Sequence, residues 1–339
     1  MRVLRYLMIA ITIACLAIGL NNCASSRPSD VALPPAVTSP AATDTTTDSG
    51  DRKININTAI LSELDKLEAE LGIPALSHQI QASRPYGSPA DLVSKGVLTQ
   101  EQFAQIQDQI TVEEIVLTGE ARDVDYLLKL GLMKGHMIIA GQLLELGFPD
   151  KAEPHLGHPV EEIYVDIAEQ LPERGVSDFS EGLIQVQELV RSKPNDPQVQ
   201  SAFEAANKAI DEAIAVLPAE QRQSPAFVLQ VINGMLDTAA AEYTASISDG
   251  KITAEIEYQD SRGFVEYSKD TLFRSIETKL TEENEEVART LNSELSGLFA
   301  AWPQPIPPTT PVVAADDVAN QVKRFETTST PVIESASIR

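Results

Sequence analysis

Cysteine is nearly missing from this chain of 339 residues: there are two, Cys15 and Cys23, both close to the N-terminus. A disulfide framework or a thiolate site is therefore excluded from everything that follows. Aromatic residues make up only 5%, with a single tryptophan, and the apolar 43% is mostly Ala, Leu, Ile and Val. Such material suits helices packed through aliphatic seams rather than a β-sandwich. Basic residues are outnumbered, 26 against 50 acidic ones, giving a formal net charge of −24. That field repels phosphate backbones and anionic lipid headgroups and favours solubility. There is no G-x-S-x-G elbow, no H-E-x-x-H pair and no Walker loop, so the sequence points away from an enzyme.

What is present begins with an apolar run from Tyr6 to Leu20 behind Arg2 and Arg5. It is short for a membrane span and has the make-up of an export signal. Leu20 lies three residues before Cys23, and Ala24, Ser25 and Ser26 follow it. This resembles the lipobox of bacterial lipoproteins, with Asn22 standing where the pattern has Gly, Ala or Ser. The resemblance implies lipidation at Cys23, a membrane anchor and a periplasmic or cell-surface location; cleavage by the ordinary signal peptidase is the alternative. Residues 24–50, rich in Pro, Thr, Ser and Ala, read as a disordered tether. Residues 303–339 open on "PQPIPPTTP" and read as a Pro/Thr-rich tail.

Residues 51–118 read as two stacked pairs of short helices. Asn57 and Thr58 are expected caps for a helix with Leu61, Leu64, Leu67 and Leu71 at helical spacing. Gly72 ends it, Ser88 is the expected cap of a third helix ended by Gly96, and Thr99 caps a fourth. Ile54, Asn55, Asn57, Ala59, Leu64, Gly72, Ile73, Arg84, Asp91, Leu92 and Gly96 resemble the tandem helix-hairpin-helix module of the ComEA competence type. "RPYGSPADLVSKGVLTQEQ" is also similar to the extrinsic photosystem II subunit of that fold, which implies protein docking. The hairpin turns are then Gly72–Ile73 and Gly96–Val97. DNA-binding relatives have a second glycine in each hairpin, where backbone N–H groups approach phosphates. Here Pro74 and Leu98 stand instead, and Lys53, Lys66, Arg84 and Lys95 are thinly spread. A protein partner is expected and DNA is not.

Residues 119–302 read as a bundle of seven or eight helices. The first, "DVDYLLKLGLMKGHMIIAGQLLELG", has Asp123 as its expected cap, and Gly131, Gly135 and Gly141 clear a face for a close neighbour. Its continuation superficially suggests a tetratricopeptide pair, but the period does not recur.

Three of the four histidines, His136, His155 and His158, fall in one short stretch with Glu145, Glu161 and Glu162. Local accounts exist for single residues: His158 before Pro159 can cap a helix with Glu161 completing the box, and His136 can be a core histidine. Neither explains the company they keep. Glu145 lies too far along the helix from His136 to share an ion. His136, His155 and His158 with Glu161 and Glu162 are therefore candidate ligands for Zn, Fe or Cu. His158-Pro-Val-Glu161 resembles the H-x-x-E motif of imelysin and EfeO-type periplasmic iron-uptake proteins. "EYQDSRGF" is similar to a late-helix carboxylate motif of such bundles and offers Glu257 and Asp260 as secondary candidates.

The expectation is an all-α protein, a small tandem helix-hairpin-helix domain followed by a larger helical bundle. Its expected function is that of an exported, lipid-anchored binding protein that docks a protein partner and holds a metal ion. A purely structural interaction lipoprotein and a DNA-binding helix-hairpin-helix protein are the alternatives.

Overall fold

The computed structural model describes residues 53–59, 61–113 and 117–337. The export signal, Cys23 and the 24–50 tether lie outside the described residues. Within them the fold is all-α, with two minimal strand pairs.

The first residues build a small helical unit with its own core. Leu61–Leu71 (α1), Leu76–Ala82 (α2), Asp91–Ser94 (α3) and Gln100–Ile106 (α4) surround Leu64, Leu67, Leu76, Ile80, Leu92, Leu98 and Ile106. Ile54–Asn55 (β1) pairs in parallel with Ile110–Thr111 (β2) and ties the two ends together. Gly72 (φ +61°) and Gly96 (φ +71°) take the left-handed conformation that ends a helix without a Cβ penalty. Both glycines are exposed, with Ile73 and Val97 half-buried behind them. Thr99 forms a full capping box with Gln102.

Two expected caps do other work. Asn57 bridges to the far loop, its Nδ2 donating to Tyr86 O (2.9 Å) and its Oδ1 accepting from Tyr86 N (2.7 Å). At the third helix the acceptor is Asp91, which takes Gly87 N (2.7 Å) and Ser88 N (3.2 Å).

The larger part is built around Gly119–Glu145 (α5), a mostly buried helix. Pro149–His158 (α6) folds back onto it and runs into a π-helical turn, Pro159–Tyr164. Short turns at Val165–Ile167 (α7) and Gln170–Glu173 (α8) precede Ser180–Ser192 (α9) and Gln198–Ala215 (α10). After Ala219–Arg222 (α11) come Pro225–Ala245 (α12) and Glu255–Tyr267 (α13). A second π-helical turn, Ser268–Phe273, leads into Arg274–Glu283 (α14), and Glu285–Phe299 (α15) and Ala315–Ser337 (α16) complete the chain. Ile247–Ser248 (β3) and Lys251–Ile252 (β4) form a hairpin between α12 and α13. Its two-residue turn uses Asp249 (φ +50°) and Gly250 (φ +70°), as strand twist requires.

The three interior glycines of α5 each admit a neighbour: Gly131 faces Met235, Gly135 faces Gly263 and Phe264, and Gly141 faces Phe203. Asp123 does not cap α5, which starts four residues earlier. It accepts instead from Arg174 Nη1 (2.6 Å) and Gln221 Nε2 (3.0 Å).

The expected tail is largely helix. Val318, Val322 and Phe325 of α16 are buried against the bundle, and buried Ser329 exchanges hydrogen bonds with Asn233 of α12 (3.1 and 3.2 Å). The prolines of 303–311 only break the chain before α16 starts. The small unit is seated on this bundle, because α1 packs along α12.

Candidate metal centre

Two local features set the geometry of the site. On α6, His155 and His158 are three residues apart and so share a face. Pro159 has no N–H to give the carbonyl of His155, and its ring crowds that carbonyl. The helix responds with the wider π turn over 159–164, a device common at functional sites. His158 is thus the last residue of a continuing helix (φ −51°, ψ −42°) with no capping bond. The capping account of His158 and Glu161 does not hold.

The second feature is the crossing of α5 and α13. A Cβ placed on Gly263 would lie 2.3 Å from the Gly135 carbonyl oxygen, so only glycine permits this approach. Next to the crossing, His136 of α5 meets Asp260 of α13.

The three histidines converge on that carboxylate. His136 Nδ1 and His155 Nδ1 each stand 2.7 Å from Asp260 Oδ1, and His158 Nδ1 stands 3.2 Å from Oδ2. One ligand atom from each of these four residues lies within 4.8 Å of all the others. His136, His155 and Asp260 are buried, with His158 half-buried. Three imidazole nitrogens and one carboxylate are compatible with a first-row transition metal. Nε2 of His136 is buried with no hydrogen-bond partner, so the one polar contact of that ring is made through Nδ1.

The electrostatics follow from burial and crowding. Burial would raise the Asp260 carboxyl, but the imidazoles of His136, His155 and His158 hold it well below the usual carboxylate range. At His158 burial is outweighed by Asp260, with Glu162 and Glu161 adding, and the pKa rises to about 9. Burial dominates at His136 and lowers it despite Asp260. Glu162 is lifted to about 7 by burial, against the pull of His158.

The expected glutamate ligands are placed elsewhere. Glu161 is exposed and accepts from Gln187 Nε2 (3.4 Å), because the π turn carries it off the His158 face. Glu162 Oε1 stays 4.0 Å from His158 Nε2, beside the cluster rather than in it. Glu257, half-buried, is lifted first by burial and then by Asp260 and Glu68, and answers to His78 of the small unit. Glu145 is exposed. Asp260, a secondary candidate in the sequence, is the carboxylate at the centre.

Sequence reasoning missed Gln259. It is buried, and its Oε1 stands 2.8 Å from His155 Nε2. Its only signal was its position beside Asp260 in "EYQDSRGF". Gly263, four residues on, carried the equally overlooked signal of a small residue at a helix crossing.

A second acidic group lies where α1 meets the bundle. Burial lifts Asp65 to about 7, with Glu68, Glu257 and Glu162 adding and Ser77 opposing. Glu242 of α12 is raised well above its usual value by burial, then by Asp65, Asp260 and Glu257.

No curated protein and no solved structure matches the chain. Residues 218–336 match a family described as the iron permease-associated 4-helix bundle domain. The match runs from just before α12 to the end of α16. It takes in Gln259, Asp260 and Gly263, whereas His136, His155 and His158 precede it. The candidate centre therefore joins the segment matched by that family to the helices in front of it.

Proposed function

We propose that this chain binds iron through His136, His155, His158 and Asp260, as a component of an exported iron-uptake system. The observation that carries this reading is the convergence of three Nδ1 atoms on one buried carboxylate. The match of residues 218–336 to an iron permease-associated domain supports iron over zinc or copper, and supports work at a membrane or cell surface. The apolar run before Cys23 supports export and lipid anchoring of the same chain.

We further propose that residues 53–113 act as a helix-hairpin-helix docking module for a protein. Their turns, with Gly72 and Gly96 exposed and Ile73 and Val97 half-buried, support this role, as does the seating of α1 on α12. Metal uptake by the purified chain, read by calorimetry and elemental analysis with Fe²⁺, Fe³⁺, Zn²⁺ and Cu²⁺, is the test. Stoichiometric iron binding that His136→Gln removes is the expected result. Absence of binding by all four ions rejects the reading.

A further inference from the structure

Resting on the reading of the cluster as a metal site, we infer that Gln259 is a positioning residue that fixes which nitrogen of His155 faces the ion. The amide of Gln259 is locked by what surrounds it. Its Nε2 donates to the Pro305 carbonyl oxygen (3.2 Å) and to Glu255 Oε1 (3.2 Å). The Pro305 oxygen can only accept, so the amide nitrogen must point there and Oε1 must point at His155. An amide oxygen only accepts as well, so the proton in the 2.8 Å contact belongs to Nε2 of His155.

A neutral imidazole carries one N–H. With that hydrogen on Nε2, the Nδ1 lone pair is directed at Asp260 Oδ1, 2.7 Å away. Without an ion that contact is favourable only when the ring is protonated and Nδ1–H donates to Asp260; a bound cation takes the place of that proton and leaves Nε2–H on Gln259. Gln259 thus holds His155 in the tautomer that offers Nδ1 to an ion shared with Asp260, as acceptors behind metal-bound histidines do.

The lock extends to the surface. Lys151 and His155 lie four residues apart on α6; Glu255 and Gln259 lie four apart on α13. Lys151 Nζ bonds Glu255 Oε2 at 2.5 Å, and Glu255 Oε1 holds Gln259. Two rungs therefore fasten α6 to α13: a half-buried ion pair, and the buried amide–imidazole contact. The outer rung orients the inner one.

The test uses the exported chain loaded with Zn²⁺, a diamagnetic probe, and ¹⁵N–¹H NMR of the histidine rings. For the wild type we expect His155 with Nδ1 on the metal and a slowly exchanging Nε2–H. Gln259→Leu removes the acceptor and should weaken Zn²⁺ binding by about 10- to 100-fold while helical content is kept. Gln259→Glu keeps an acceptor and should bind more tightly than the Leu variant, with the wild-type ring assignment. Metal on Nε2 of His155 in the wild type overturns the inference. So does unchanged affinity in Gln259→Leu, or an equal loss in both variants. A wild type that takes up no Zn²⁺ or iron overturns the metal site itself, whereas uptake indifferent to residue 259 overturns this inference alone.

Discussion

Gly135 and Gly263 touch backbone to backbone, and the contact between His136 and Asp260 depends on them. A Cβ on Gly135 would lie 2.5 Å from Phe264 Cδ1, and one on Gly263 would lie 2.3 Å from the Gly135 carbonyl oxygen. The first neighbour is a ring that can shift. The second is backbone, which cannot yield without moving a helix.

Gly263→Ala should therefore cost more than the alanine helix propensity returns. Overpacking of this kind typically costs about 1–3 kcal/mol, against about 1 kcal/mol gained in propensity. We expect a lower melting temperature and, at temperatures where the variant is folded, weakened metal binding as α5 and α13 part. Equal stability and equal affinity would show that the crossing does not set the site.

Asp65 makes stability depend on pH. Its folded pKa of about 7 stands above the ordinary 3.8, chiefly through burial, with Glu68, Glu257 and Glu162 opposing its charge and Glu242 close by. The folded state holds this proton more tightly than the unfolded chain. The contribution is complete below about pH 4 and is lost as pH rises through 7. Asp65→Asn should match the wild type near pH 4 and exceed it at pH 8, by a few degrees in melting temperature, at about 2–4 °C per kcal/mol. Thermal melts at the two pH values decide; a variant less stable at pH 8 contradicts the argument.

The small unit should not bind nucleic acid. Arg84 spends its guanidinium on Ile56 O (2.8 Å) and Ala59 O (2.5 Å), and Lys95 donates to Ser83 O and Pro85 O (both 2.7 Å). Two of its four candidate cations are thus committed to holding the unit together. The protein should give no shift of duplex DNA at micromolar concentration and about 50 mM salt, where a handful of phosphate contacts would register. A shift that weakens steeply with salt would reverse this.

Cys23→Ser should release the protein from membranes and abolish acylation. Labelled palmitate that never enters the wild type would remove lipid anchoring from the account.

The histidines were legible because histidine is rare here and three of four cluster within one stretch of chain. Their carboxylate is not legible in the same way. Asp260 is 124 residues from His136, and only the Gly135–Gly263 crossing makes them neighbours. A regular helix after His158 would bring Glu161 and Glu162 toward its face; the π turn at Pro159 changes which residues share that face. The all-α architecture followed from aliphatic spacing. α16 is hidden because it follows the proline run of 303–311 and its later turns carry Thr327, Thr328, Thr330 and Pro331 around buried Ser329, residues that read as linker. Gln259 carried no sequence signal of its own, since its role exists only once His155 and Pro305 surround it.

The most direct measurement is calorimetric titration of Fe²⁺, under anaerobic conditions, into wild type, His136→Gln, His155→Gln and Asp260→Asn. One tight site is expected in the wild type, in the micromolar range or better, weakened by at least about tenfold in each variant. Folding should be retained by circular dichroism in the variant used for comparison. Wild-type binding no tighter than millimolar, or binding that all three variants preserve, would contradict this expectation.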